Sequence, residues 1–137
     1  MQSRHQMNNT LEDVTPMVLS LKAVVCVALG ASATVRFEIC LSEALTNVVK
    51  HAQPTAPDEL IDVTVQETSD AICVEIFDPA GAAPFDFRDH ALHLVPVDPL
   101  AESGRGLGLI MQCADALDYG LSGDRNRLIL TFNKATQ

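Results

Sequence analysis

With 137 residues, 47% hydrophobic and 20% charged, the chain has a globular composition and enough length for one domain around one sizeable core. Its 18 acidic residues against 9 basic ones give a net charge of -9, which argues against a nucleic-acid-binding surface. An anionic ligand can bind such a chain only where local cations and backbone amides overcome the acidic background. Cys26, Cys40, Cys73 and Cys113 are scattered through apolar segments with no C-x-x-C pair, so they read as buried thiols in a reducing compartment. The opening "MQSRHQMNN" is too polar for a signal peptide, and the apolar run "MVLSLKAVVCVALGA" carries Lys22 and is too short to span a bilayer. A cytoplasmic protein with no membrane or nucleic-acid partner is expected.

In chain order, residues 3–7 offer a short edge strand. A first helix is predicted over 10–29, with Thr10 as its cap and Gly30 just past its end. Pro16 requires that the regular helix start near Thr15 or that its first turns bend. A second helix is predicted over 33–52, stopping before "QPTAPD". Two β-branched segments follow, "LIDVTVQE" and "AICVEIFD", separated by a "TSD" turn, which reads as a hairpin. A long Pro- and Gly-rich stretch from Pro79 to Gly106 has the character of a functional loop. A third helix is expected from 106 or 107 to about 117, then a closing hairpin, "LDYGLS" and "RLILTFNK", around "GDRN". Paired strands with interspersed helices give an α+β two-layer sandwich over 1–137, a mixed, mostly antiparallel sheet carrying helices on one face.

Three motifs carry chemistry. In "SEALTNVVKHA", Glu43, Asn47, Lys50 and His51 are spaced three and four apart and share one side of the second helix. Glu43 is suited to accept a proton from a hydroxyl, Asn47 offers the hard amide oxygen that Mg²⁺ takes beside phosphates, and Lys50 is a phosphate-seeking point charge. In "EIFDPAGAAPFDF", Asp78 follows an apolar strand, where a carboxylate can accept a hydrogen bond from an exocyclic base amine, and Gly81 lets the backbone approach a ligand. In "ESGRGLGLIMQ", Gly104, Gly106 and Gly108 open a helix whose first amides point at an anion, with Arg105 as a bidentate cation. This run neither follows a strand, as a Rossmann fingerprint does, nor carries the Lys-Ser/Thr of a P-loop. Each motif alone also reads blandly, as a solvated helix face, a turn or a chance glycine run. His90 and His93 in "HALH" lack further ligands and read as solvated loop residues.

Together, in this order, the motifs resemble the GHKL ATP-binding fold of histidine kinases and gyrase. Within it, the chain looks most like the small anti-sigma-factor serine kinases of the RsbW type, over nearly its whole length. "SEALTNVVKHA" is similar to the family's N-box and "LAESGRGLGLIMQCADALDY" to its lid-end glycine motif and following helix. The resemblance implies that Glu43 activates a substrate serine, Asn47 holds Mg²⁺ on the phosphates of ATP, and Asp78 binds the adenine amine. It further implies an ATP lid at about 79–105, with Gly104, Arg105, Gly106 and Gly108 closing over the triphosphate, Lys50 facing phosphate and Thr131 near the adenine. The family's Asp-x-Gly reads Asp78-Pro79-Ala80-Gly81 here, with the glycine one residue late. The implied activity is phosphorylation of a STAS-domain antagonist on serine by a homodimeric switch protein that otherwise sequesters a partner such as a sigma factor. The alternative is a nucleotide-gated binding module with little or no catalysis.

Overall fold

The computed structural model describes residues 2–51, 60–78, 110, 112–122 and 125–134. Its elements are β1 (Gln2–Asn8), a 3-10 turn (Leu11–Asp13), α1 (Val14–His51), β2 (Leu60–Glu67), β3 (Ala71–Phe77), β4 (Ala116–Ser122) and β5 (Arg125–Asn133). The strands form one 5-stranded sheet in the order β1-β2-β3-β5-β4. The expected α+β sandwich is what forms, and every pairing among the described residues is antiparallel rather than mixed.

Alternation along the strands decides which face is buried. Ile61, Val63 and Val65 of β2, Ile72, Val74 and Ile76 of β3, and Leu128, Leu130 and Phe132 of β5 all lie in the core beneath α1. Leu21, Val25, Leu29, Phe37, Leu41 and Leu45 cover them from the helical side, and Phe37 meets Phe132 edge-on, with centroids 5.0 Å apart. The opposite sheet face carries Asp62, Glu75, Arg125 and Arg127, all half-buried.

The two expected helices are two legs of α1, residues 14–29 and 31–51, joined at Gly30 with φ 81 and ψ 172. L side chains essentially never adopt that backbone, so glycine alone allows the break. It folds the run back on itself: Lys22 on the first leg reaches Glu38 on the second at 3.0 Å. The second leg begins directly after Gly30 rather than at residue 33, and Thr34 Oγ1 donates to Gly30 O at 2.6 Å. By length and composition alone the run is apolar enough to cross a membrane. The break and the burial of its inner side against the sheet are those of a core helical hairpin.

Element bounds differ from the sequence expectation at two helix ends and in the closing hairpin. Thr10 makes no side-chain cap and precedes a 3-10 turn, and the α-helix starts at Val14. Pro16 therefore falls in the first turn, where its missing N–H costs no helical bond. The helix expected to reach about residue 117 has given way by Ala114, and Ala116 already belongs to β4. Asp115 explains the stop. Its N–H donates to Thr131 O at 2.8 Å and its Oδ2 accepts from Asn133 N at 2.7 Å, which hooks the chain onto β5. In the closing hairpin Ser122 pairs with Arg125, so Arg125 and Asn126 are strand residues rather than part of the connection.

Candidate functional site

The second leg of α1 supplies the first group of candidate residues. Leu41, Ala44, Leu45 and Val48 face the core, and Glu43, Asn47 and Lys50 run beside them. Glu43 is half-buried and Lys50, near the helix end, is exposed. Asn47 is only 6% exposed, and its Nδ2 is buried with no hydrogen-bond partner among the described residues. A buried unpaired amide costs about 1–3 kcal/mol, so a ligand that satisfies it recovers that deficit. Either end of the amide can face such a ligand, because the oxygen and nitrogen exchange by a simple flip.

The sheet supplies Asp78, on the face turned toward α1. Asp78 directly follows β3 and continues the parity of Ile72, Val74 and Ile76, which turns its carboxyl toward the helical layer. It is 8% exposed. Burial pushes its pKa up to about 6, although a hydrogen bond from Asn126 and the charge of Arg125 act in the opposite direction. A carboxylate so placed is a strong acceptor in a dry setting and gains from meeting a donor.

Asn126 and Arg125 lie beside Asp78 because β5 runs antiparallel to β3, so the start of one meets the end of the other. Asn126 Nδ2 donates to Asp78 Oδ2 at 3.1 Å, and Arg125 Nε donates to Asp78 O at 2.8 Å. Neither residue is singled out by the sequence motifs. Their strand position depends on the β4–β5 register, which "GDRN" disguises as a turn.

Thr131 is the residue that the sheet places elsewhere. Leu128, Leu130 and Phe132 face the core, so Thr131 projects onto the open face, where its Oγ1 is 3.5 Å from Cys73 Sγ. The pleat puts it on the sheet face opposite Asp78. Gly81, Gly104, Arg105, Gly106, Gly108 and the loop 79–105 lie outside the described residues.

The donor set fits Mg²⁺ held jointly with phosphates. Among the described residues no group of three or more His, Cys, Asp or Glu side chains is placed to hold a metal by itself. A single buried amide, Asn47, suits a hard cation that keeps its waters and takes most of its oxygens from a nucleotide.

Comparison with known proteins bears on the fold and the family. No curated protein gives a significant match. Among solved structures, the catalytic domain of the histidine kinase ThkA, in a nucleotide-free form, superposes with a TM-score of 0.56 over 96% of each chain at 13% identity. That likeness is one of fold. A family model described as the histidine kinase-like ATPase domain matches residues 7–132. The helical hairpin over an antiparallel sheet, the buried Asn47 and the strand-end Asp78 are thus set in a chain that belongs to the histidine kinase-like ATPase domain family.

Proposed function

We propose that this protein is a Mg-ATP-dependent serine protein kinase of the anti-sigma type, acting in the cytoplasm as a homodimer on a STAS-domain antagonist. The observation that carries the nucleotide part is the buried amide of Asn47, whose Nδ2 has no partner among the described residues, one turn after Glu43 in a chain of this ATPase family. When bound, Mg-ATP supplies the transferable phosphoryl group and the charge neutralisation that transfer requires. Asn47 holds the cation with its amide oxygen, Lys50 attracts phosphate, and Asp78 accepts the exocyclic N–H of adenine. Gly81, Gly104, Arg105, Gly106 and Gly108 complete the nucleotide site in this reading. Glu43 orients a serine hydroxyl of the substrate and accepts its proton at a carboxylate oxygen.

Sequestration of a partner such as a sigma factor is supported by the helical hairpin. Leu19, Val27, Val35 and Ile39 leave apolar surface in water, and Val27 is 94% exposed. The test is transfer from Mg-ATP to STAS-domain proteins, followed as phosphoserine by mass spectrometry. Transfer by the wild type that falls about 10²–10⁴-fold in Glu43→Gln, with ATP binding retained, supports the kinase. ATP and STAS binding without any transfer makes the protein a nucleotide-gated binding module instead.

A further inference from the structure

Asp78 is gripped from both faces of the sheet by two consecutive residues. Neighbouring strand residues project to opposite faces, so Arg125 reaches the open face and Asn126 the helix-facing one. From the open face, Arg125 donates through Nε to Asp78 O at 2.8 Å, and through Nη2 to Leu60 O at 3.0 Å and Phe77 O at 3.4 Å. Its Nη1 pairs with Asp62 Oδ2, and its guanidinium carbon is 5.7 Å from the centroid of the Phe77 ring. Gln6 Nε2 secures the other oxygen of Asp62 at 2.7 Å, so the grip extends from β5 across β3 and β2 to the edge strand β1. From the inner face, Asn126 is 1% exposed. It accepts from Asp78 N at 3.0 Å through its carbonyl and donates to Asp78 Oδ2 at 3.1 Å through its side chain.

Backbone and side chain of Asp78 are thereby both fixed. Oδ2 is taken by Asn126, while Oδ1 makes no hydrogen bond among the described residues. We propose that Arg125 and Asn126 determine which purine the site takes, by holding Asp78 with one acceptor oxygen that no described residue occupies, which a 6-amino purine satisfies and a 6-oxo purine does not. The inference rests on the nucleotide-binding reading and deepens it.

The physical reason is the sign of the contact. A 6-amino group donates N–H to Oδ1, whereas a 6-oxo group sets a second acceptor against it in a desolvated place. Asn126 sharpens the distinction in two ways. Its amide stops the carboxyl from rotating, and as a donor it favours the ionised form, which can only accept. Without it, a protonated Asp78 can donate to a 6-oxo base, and discrimination falls.

The test is competitive titration of the full chain with ATP and ITP, the 6-oxo analogue, in Mg²⁺, for wild type, Asn126→Leu, Asn126→Ser and Arg125→Met. Thermal unfolding verifies that each variant is folded. The expected result is preference for ATP in wild type, a selectivity ratio lowered about tenfold or more in Asn126→Leu, and substantial recovery in Asn126→Ser, which keeps a donor. Arg125→Met, read in its own right should Asn126→Leu not fold, is expected to lower the ratio as well. Loss of ATP and ITP affinity by the same factor in these variants overturns the inference, leaving a structural role and the nucleotide site intact. A wild type that binds neither nucleotide overturns the parent reading and the inference with it.

Discussion

Asp78 and Asn126 are joined twice where β3 ends and β5 begins, N–H to carbonyl at 3.0 Å and side-chain amide to carboxylate at 3.1 Å. Even this double attachment does not offset the burial of the carboxyl, whose pKa is raised from 3.8 to about 6. Because the folded value lies above the unfolded one, the group's stabilising contribution is complete below about pH 4. It is lost as the pH rises through 6. Holding the ionised form then costs the ligand-free protein roughly 3 kcal/mol.

Asp78→Asn should therefore raise the unfolding free energy at pH 8 by a few kcal/mol and bring no comparable gain at pH 4. The same substitution should abolish the preference for adenine. Urea unfolding at the two pH values measures the difference, and an equal effect at both would contradict the burial argument.

Asn47 poses a similar conflict between stability and ligand binding. Replacing it with leucine removes a buried amide whose nitrogen has no partner among the described residues. The ligand-free protein should become more stable by about 1 kcal/mol, while the gain in ATP affinity from Mg²⁺ disappears. If Mg²⁺ still tightens ATP binding to Asn47→Leu, the cation is held elsewhere.

Gly30 tests the hairpin. A Cβ built there meets nothing within 4 Å, so a methyl group has room, but φ is +81. Gly30→Ala should cost about 1–3 kcal/mol through backbone strain alone. The Lys22–Glu38 pair across the same hairpin is partly exposed and marks the fold-back more than it stabilises it, so Lys22→Ala should change stability by less than about 1 kcal/mol. Chemical denaturation of both variants separates the two effects. A larger loss in Lys22→Ala than in Gly30→Ala would reverse the assignment.

The sequence was most legible where one physical requirement dominated. Ile61, Val63 and Val65 must share a face, so β2 is found at Leu60–Glu67, where "LIDVTVQE" placed it. Helical spacing puts Glu43, Asn47 and Lys50 on one side of the second leg, while their roles come from the resemblance. The start of β4 was hidden because Ala114, Ala116 and Leu117 suit a helix, and only the bonds from Asp115 to Thr131 and Asn133 end it.

Arg125 and Asn126 were hidden by their turn-like neighbours, since nothing local shows that Ser122 pairs with Arg125. The position of Thr131 was open to a stricter reading. Leu128, Leu130 and Phe132 share one parity, and Ile129, apolar on the other, masked it.

The most direct measurement is calorimetric titration of the wild-type chain with ATP, with and without Mg²⁺, beside Asn47→Ala. Saturable binding that Mg²⁺ tightens in wild type and not in Asn47→Ala is the result this account predicts. A folded wild type that binds no ATP at millimolar nucleotide would contradict it.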